Sequence, residues 1–231
     1  MIDKKNIPAE FDKIARRYDI ANRVISFGMD AGWKRRFVSM IPPDSRRILD
    51  IAAGTGDIAI KTARSLPEAD LTAIDASENM LAAAADKAQK NGLANRINFQ
   101  KADMLRLPFD DGSFDCVTMV YGLRNAADTA AAIREIHRVL RPGAAALIME
   151  FTMPPAQPMR FLFGVYFRFI MPVIAAAFTG NLAAYRYLNK TVTEFYPPEK
   201  TAAIIKNAGF DVEKISLAGG AVWIFRTNKA D

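Results

Sequence analysis

The chain has only one cysteine and one histidine among its 231 residues. Cys116 cannot form an internal disulfide, and within the apolar run CVTMVY it is expected to pack in the core, which suits a reducing cytoplasm. One histidine excludes a Cys/His zinc site, and it excludes a Ser-His or Cys-His triad unless His137 itself serves one. The segment IREIHRVLRPG reads as a helix ending at Pro142-Gly143, which places His137 on a helix face. We expect no metal site.

The sequence also lacks an apolar secretion signal at its start, internal repeats and low-complexity linkers. Its net charge of +6 is uneven: residues 1–50 carry 11 basic and 7 acidic residues, residues 51–150 carry 11 and 13, and residues 151–231 carry 9 and 5. The acidic middle argues against a broad nucleic-acid footprint, whereas the basic flanks suit anionic lipid. We expect a cytoplasmic protein with no nucleic-acid partner and with peripheral contact to the inner face of the cell membrane.

Short apolar runs alternate with helical patterns through the middle of the chain. Strands are predicted at RRILDIAA (46–53), DLTAIDAS (70–77), RINFQKAD (96–103), FDCVTMVY (114–121) and GAAALIMEF (143–151). This alternation predicts an α/β fold with a Rossmann-like, doubly wound and mostly parallel sheet. FDVEKISLA and GAVWIFRTN, near the end of the chain, are predicted to form an antiparallel edge hairpin.

Two segments stand outside this alternation, and we expect both to belong to a single domain over 1–231. Residues 1–42 read as a helical cap, with Tyr18, Asn22 and Trp33 closing one side of the site. Residues 154–200 interrupt the sheet as an inserted, mostly apolar segment, in which Tyr185, Arg186 and Tyr187 either line a channel or pack at the surface.

The most apolar part of the insertion, MRFLFGVYFRFIMPVIAAAF (159–178), is long enough to suggest a transmembrane helix. Arg160, Arg168 and Pro172 argue against that, because a central arginine costs roughly 2.5–3.5 kcal/mol on insertion scales. Two interpretations stay open: a core or homodimer helix pair, or an apolar lid that covers the site and guides a substrate tail from a membrane surface.

A glycine-rich loop, DIAAGTGDIA, follows the first predicted strand. Residues 54–59 fit the pattern G-x-G-x-x-A. Asp75 lies about 20 residues further on, where a carboxylate can accept hydrogen bonds from ribose hydroxyls. An NAD-dependent oxidoreductase is therefore one hypothesis, and an incidental turn is another. Asp50 and Asp57 flank the loop, where they would repel a pyrophosphate and attract a cationic ligand. With Asp103 placed to take an adenine amino group, these acids favour S-adenosylmethionine (SAM), which has no phosphate.

Several stretches, taken in order, resemble a class I SAM-dependent methyltransferase: LDIAAGTGD, AIDASENML, LPFDDGSFD, YGLRNAAD and IHRVLRPG. More narrowly, FDKIARRYDIANRVISFGMDAGWKRR, GLRN and AAYRYLNKTVTEFYPPE resemble the C-methyltransferases of menaquinone and ubiquinone biosynthesis. The resemblance covers nearly the whole chain. It implies that Thr55 and Asp75 bind SAM and that Asp103 and Met104 contact its adenine. The full set of predicted cofactor-binding residues is Tyr18, Lys34, Asp50, Ala53, Gly54, Thr55, Gly56, Asp75, Ala76, Met80, Asp103, Met104 and Val120.

The fourth predicted strand delivers Tyr121, Arg124 and Asn125 at its carboxyl end, where open α/β sheets bind ligands. We predict these three as catalytic. Arginine is always protonated and is a poor base, so Arg124 is expected to stabilise a developing phenolate or to hold a water that removes the proton. Asn125 is expected to orient that water or the second quinol oxygen. Two alternatives remain: Arg124 pairs with an acid, and Asn125 caps the helix that begins near Ala126.

The resemblance, taken with these residues, implies methyl transfer from SAM to a ring carbon of a reduced prenylated quinone, with demethylmenaquinol as the first candidate. The alternatives are the benzoquinol of the ubiquinone pathway, another small or lipid-like methyl acceptor, a nicotinamide-dependent oxidoreductase, and a non-catalytic SAM-binding module.

Overall fold

The structure is a computed structural model that describes residues 23, 26–171, 173 and 182–230, with the backbone alone for residues 182–186. The predicted helical cap therefore lies mostly outside the described residues, and Tyr18 and Asn22 lie outside them as well. What is described of the cap is the helix α1 (Asp30–Val38). Phe37 and Val38 at its end are buried in the core.

A seven-stranded sheet organises the described part of the chain, in the order β3-β2-β1-β4-β5-β7-β6. The strands β1 to β5 pair in parallel, and β7 runs antiparallel to both β5 and β6. This confirms the predicted mostly parallel α/β sheet and its antiparallel edge hairpin. The strand bounds are β1 Arg47–Ile51, β2 Asp70–Asp75, β3 Ile97–Lys101, β4 Phe114–Val120, β5 Leu140–Phe151, β6 Phe210–Leu217 and β7 Val222–Lys229.

Helices cover both faces of this sheet. Successive residues of a strand point to opposite faces, so Ile48 joins one apolar cluster and Leu49 the other. On the Leu49 side the cluster is completed by α4 and α7, and on the Ile48 side by α1, α2 and the end of α3. The bounds of these helices are α2 Asp57–Ser65, α3 Glu78–Lys90, α4 Thr129–Val139 and α7 Pro198–Asn207.

Cys116 and His137 lie where the sequence places them. Cys116 is fully buried in β4, and burial raises the pKa of its thiol to about 12, which leaves it an inert packing residue. His137 lies on α4 with its ring edge against the Phe210 ring. The predicted end of that helix at Pro142-Gly143 is wrong: α4 ends at Val139, and the strand β5 already contains both residues.

The insertion leaves the sheet after β5 and is mainly helical where it is described. It contains α5 (Met159–Val165), which continues without interruption as a π-helical stretch over Tyr166–Ile170, and then α6 (Leu182–Glu194). The next helix, α7, begins at Pro198, close to the predicted end of the insertion at residue 200, and packs on the sheet. Among the described helices, none is both long enough and apolar enough to cross a membrane.

Candidate functional site

The loop after β1 is built around residues in left-handed backbone conformations. Ala52 has a φ of +55°, and Gly56, with a φ of +76°, immediately precedes α2. A Cβ on Gly56 would lie 3.0 Å from the Cβ of Ala84 on α3, so a larger residue would push the two helices apart. The glycine here serves both the turn and the close packing of the helix.

Asp75 ties this loop to the end of β2. Its Oδ2 accepts the backbone N–H of Gly54 at 2.8 Å, and its Oδ1 accepts the N–H of Ser77 at 2.9 Å. Ser77 in turn caps α3 by accepting the N–H of Met80 at 3.1 Å. A carboxylate has about four acceptor positions. Asp75 can therefore accept ribose hydroxyls alongside these amides.

Asp50 is buried under the loop and is not presented to solvent. It is 2% exposed, and its Oδ1 accepts the hydroxyl of Thr118 at 2.8 Å. Burial raises the pKa of this carboxyl to about 7, although the Thr118 hydrogen bond lowers it. Its buried Oδ2 has no hydrogen-bond partner within the described part of the chain. Asp50 is thus a weaker electrostatic attractant for a cationic ligand than its position in the sequence suggests.

Asp57, the first residue of α2, is neutralised by lysines. The Lys34 Nζ lies 2.9 Å from its Oδ2, and the Lys87 Nζ lies 2.5 Å from its Oδ1. Burial raises the pKa of Asp57, but the two lysines outweigh it and hold the pKa well below the usual range. Lys34 also lies 3.3 Å from Asp30. In this structure Lys34, predicted to bind the cofactor, joins α1 to the helix after the glycine loop.

The remaining predicted cofactor residues surround the same end of the sheet. Thr55 and Met80 are buried, Val120 and Met104 are half-buried, and Ala76 and Asp103 are exposed. The Asp103 carboxylate accepts the N–H of Leu105 at 2.9 Å, which fixes the turn after β3. The Ala53 N–H donates to the carbonyl of Ile74 at 2.9 Å and so fastens the glycine loop to β2.

Arg124 lies in a single 3₁₀ turn, Leu123–Asn125, directly after β4. Its side chain is 4% exposed, and its Nη1 donates to Glu150 Oε1 at 2.8 Å and to the Tyr121 carbonyl at 2.5 Å. The Arg124 backbone N–H donates to Glu150 Oε2 at 3.0 Å. The alternative that Arg124 pairs with an acid is therefore what the structure shows. Its catalytic role stays a prediction, and that role has to be compatible with the ion pair.

Asn125 does not cap the following helix, so that alternative is wrong. The cap of α4 is Asp128, whose carboxylate accepts the N–H of Ala131 at 2.9 Å. The Asn125 Oδ1 instead accepts the hydroxyl of Tyr187 at 3.3 Å. Tyr187 belongs to α6, so the insertion reaches the site through this hydrogen bond.

Tyr121 connects the site to a row of aromatic rings. It has a φ of +59°, which is rare for a side-chain-bearing residue, and its ring stacks on Phe151 with centroids 4.4 Å apart. The Phe151 ring centroid lies 6.3 Å from that of Phe167 in the insertion and 6.4 Å from that of Trp33, whose ring is nearly perpendicular to it. The closure of the site by Trp33 stays a prediction.

The two loops that carry the site lie against each other. The strands β1 and β4 are neighbours, with Ile51 opposite Met119. The first residue after each strand, Ala52 and Tyr121, has a left-handed backbone conformation. A Cβ on Gly122 would lie only 2.6 Å from the Cβ of Ala52. The glycine loop and the turn that carries Arg124 therefore meet at one edge of the sheet.

Sequence reasoning did not assign roles to Glu150 and Thr118. Glu150 is a charged residue at the end of the apolar run ALIM, and a buried acid there requires a buried partner. That signal was available in the sequence. Thr118 lies inside a strand and gives no signal of its own, because its role depends on the register that places it opposite Asp50.

Comparisons with known proteins agree with this geometry. The ubiE/COQ5 methyltransferase family matches residues 1–229. A demethylmenaquinone methyltransferase of Thermus thermophilus is 41% identical over 93% of this chain and 97% of its own length. A ubiquinone/menaquinone biosynthesis C-methyltransferase of Geotalea uraniireducens is 38% identical over 96% of this chain and 95% of its own.

Solved structures share the fold at much lower identity. A SAM dependent methyltransferase from Aquifex aeolicus superposes with a TM-score of 0.64 at 17% identity, covering 99% of each chain. At that identity the likeness concerns the fold alone. The family match and the close relatives, each covering nearly the full chain, show that the protein belongs to the ubiE/COQ5 methyltransferase family.

Proposed function

We propose that this protein transfers a methyl group from SAM to a ring carbon of demethylmenaquinol, a reduced prenylated quinone. The observation that carries the proposal is the meeting of two loops at one edge of the sheet: the glycine loop tied to Asp75, and the turn that carries Arg124 and Asn125. A methyl donor on the first loop and an acceptor at the second would therefore be neighbours. The relative from Thermus thermophilus bears the name of this reaction.

SAM supplies an electrophilic methyl group on a sulfonium sulfur. The residues at the glycine loop fit it in two respects. Asp75 stands at the end of β2 with acceptor capacity for ribose hydroxyls, and Gly54 leaves open space where a Cβ would stand. Asp57 is already neutralised by Lys34 and Lys87. Asp75, which holds this loop from the end of β2, is therefore the carboxylate to which we assign recognition of the nucleoside.

The acceptor ring needs high electron density at the reacting carbon, which a quinol gains when one hydroxyl loses its proton. Arg124 cannot take that proton, because a guanidinium beside Glu150 stays charged. Its fixed positive charge stabilises the developing phenolate, or holds a water that receives the proton, in a site of low dielectric. Asn125, held by Tyr187, orients the second oxygen of the ring. The carbon–carbon bond forms as the bond between sulfur and methyl breaks, and S-adenosylhomocysteine leaves as a neutral thioether. The proton of the methylated carbon then passes to water, which restores the aromatic ring.

The insertion covers this end of the sheet and supplies the apolar path that a prenyl tail requires. Its Phe167 is buried beside Phe151, which stacks on Tyr121. We assign the protein to the cytoplasm, with the tail of its substrate reaching it from the inner face of the cell membrane. We assign it no metal.

The test is a mass-resolved turnover assay with the pure full-length chain. SAM is supplied in detergent with reduced demethylmenaquinone in one tube and the reduced demethylated benzoquinone in another. One methyl gained on the naphthoquinol alone supports the proposal. Gain on both substrates supports the dual role that the name of the Geotalea relative describes. Gain on neither, with SAM still bound in a separate titration, overturns the proposed substrate.

A further inference from the structure

The insertion helix has a second apolar face that no other described part of the chain covers. The stretch from Met159 to Met171 is continuously helical and about 20 Å long at 1.5 Å per residue. Its inner face is buried: Phe167 and Met171 pack against Val192 of α6. The outer apolar face, as we name it, consists of Phe161, Leu162, Val165, Phe169, Ile170 and Val173.

The exposure of this face is unusual for large apolar side chains. Phe161 is 65% exposed, Phe169 is 62% exposed and Val173 is 69% exposed. Phe27 is exposed as well, and its ring centroid lies 5.5 Å from that of Tyr166 on the same helix. A concentration of exposed large apolar side chains on one short helix marks an interaction site.

Charge indicates what the partner is. Residues 151–193 contain no aspartate or glutamate, whereas they contain Arg160, Arg168, Arg186 and Lys190. Arg160 and Arg168 are exposed on the helix itself, and the Arg168 guanidinium lies over the Phe169 ring at 5.6 Å. Apolar and aromatic side chains interleaved with arginine are typical of a helix that lies in the interface plane of an anionic bilayer.

A second copy of the chain fits this surface less well. Symmetric pairing of the outer apolar face would bring the Arg160 and Arg168 of one copy near those of the other, with no acid between residues 151 and 193 to compensate them. An anionic lipid surface instead attracts both arginines. We infer that the outer apolar face of residues 159–173 docks this protein on an anionic lipid bilayer, with the helix lying parallel to the membrane plane.

The same helix connects that surface to the site. On its inner side Phe163 stacks on Phe167 with centroids 4.2 Å apart, and Phe167 contacts Phe151 beside Tyr121. Docking would therefore place the bilayer next to the aromatic row that ends at the predicted catalytic turn. The docking surface itself does not depend on the identity of the methyl acceptor.

The test is co-sedimentation of the pure full-length protein with vesicles of equal parts phosphatidylglycerol and phosphatidylcholine, and with vesicles of phosphatidylcholine alone. The docking variant, Phe161→Ser with Phe169→Ser, should weaken binding to the anionic vesicles at least tenfold, because two apolar side chains no longer enter the interface. The charge variant, Arg160→Gln with Arg168→Gln, should weaken it about tenfold or more, as should high salt.

The matched control is Arg134→Gln with Arg226→Gln, which removes the same charge from exposed positions outside the insertion. It should bind as the wild type does. Thermal melts of all variants should agree with the wild type, since the substituted side chains are exposed. Turnover on a short-tailed, water-soluble quinol is measured in parallel, so that failure of docking and failure of the proposed chemistry are read separately.

The inference is overturned if the docking variant binds anionic vesicles as tightly as the wild type, or if the wild type binds neither vesicle. Equal binding to both vesicle types would overturn the anionic preference. A concentration-dependent dimer that Phe161→Ser with Phe169→Ser abolishes, without vesicle binding, would overturn it in favour of a second copy.

Discussion

The Nη1 of Arg124 lies 2.8 Å from Oε1 of Glu150, and both side chains are buried. Glu150 also accepts the backbone N–H groups of Arg124 and Phe151. One carboxylate thus fixes the turn after β4 as well as the guanidinium. Because removing one partner of a buried pair strands the other charge, a single substitution of Arg124 changes stability and chemistry together.

We therefore predict the outcome of two variants compared side by side. Arg124→Ala alone should lower the free energy of unfolding by roughly 3–5 kcal/mol, because the Glu150 carboxylate is left buried and unpaired. Arg124→Met combined with Glu150→Gln removes both charges and should recover part of that stability, because the introduced amide keeps one acceptor oxygen but sets its NH2 group against one of the two backbone N–H groups that Glu150 accepts. This double variant should bind SAM with nearly unchanged affinity. Its turnover should still fall by a factor of about 100 or more, by analogy with the loss of one oxyanion donor.

Urea unfolding, SAM titration and turnover on the quinol measure these three quantities. If the double variant folds, binds SAM and turns over within a few-fold of the wild type, Arg124 is a structural residue and the catalytic assignment is wrong.

A second prediction concerns the pH dependence that Asp50 introduces. Its pKa in the folded protein is about 7, above the ordinary value of 3.8. The folded protein thus holds this proton more tightly than the unfolded chain does. The stabilisation that the protonated form gives is complete below about pH 4 and is lost as the pH rises through about 7. Asp50→Asn, which cannot ionise, should remove this loss.

We compare the unfolding free energy of Asp50→Asn with that of the wild type at each pH. The difference, variant minus wild type, should rise by about 2–3 kcal/mol from pH 5 to pH 8. The buried amide costs the same at both pH values, so it cancels in the comparison. Urea unfolding of both proteins at both pH values checks this. An equal difference at pH 5 and pH 8 would mean that Asp50 titrates as an ordinary carboxyl.

The order of elements could be predicted from the sequence because apolar periodicity and glycine punctuation are local. The strand at RILDI and the glycine loop after it are examples, and so is the edge hairpin. The predictions that are wrong depend on contacts between residues far apart in the sequence. The end of α4 was placed too late because Pro142 and Gly143 are ordinary stop signals, whereas pairing with β4 and β7 draws the surrounding residues into β5. Tertiary pairing overrode the local preference.

The site shows the same division. Asp75 and the Arg124 turn were found because they end predicted strands, and such ends share one edge of a parallel sheet. The environment of each charge could not be read in the same way. Asp57 was expected to attract a cationic ligand, yet Lys34 and Lys87 reach it from helices 23 and 30 residues away in the sequence. Long-range ion pairs depend on helix packing, which periodicity alone does not give.

A third prediction tests that ion pair. Lys34→Met should lower the free energy of unfolding at pH 7 by roughly 1–3 kcal/mol, because Asp30 and Asp57 lose a buried cation. Asp57 has a lowered pKa, so its stabilisation is present above about pH 4 and is lost as the pH falls. In Lys34→Met the pKa of Asp57 should rise towards its ordinary value, so less stability is lost on acidification and the difference from the wild type should shrink as the pH falls below about 4.

The control acts on the same carboxylate. Lys61 lies 3.9 Å from Asp57 with its side chain 33% exposed, and Lys61→Met should change stability by less than about 1 kcal/mol. Urea unfolding from pH 3 to pH 7 distinguishes the two variants. Equal effects of both substitutions would show that the burial of Lys34 adds nothing to the pair.

The fourth prediction concerns the contact between the two loops of the site. A Cβ at Gly122 would meet the Cβ of Ala52 at 2.6 Å, so Gly122→Ala forces at least one loop to move. Overpacking of this kind costs roughly 1–3 kcal/mol of stability. Since one loop holds Asp75 and the other carries Arg124, both SAM affinity and turnover should fall. Gly32→Ala on α1 is the control, because nothing lies within 4 Å of its added Cβ, and it should be neutral or slightly stabilising.

The contact also predicts a rescue. Ala52 has a φ of +55°, which glycine adopts at less cost than alanine. Ala52→Gly combined with Gly122→Ala moves the methyl group from one loop to the other, removes the 2.6 Å contact and relieves the strained alanine, and leaves only the 3.1 Å approach to the flexible side chain of Met119. This double variant should regain most of the stability, SAM affinity and turnover that Gly122→Ala loses. If it stays as impaired as the single variant, the damage does not come from the contact with Ala52, and the two loops are not held together at this point.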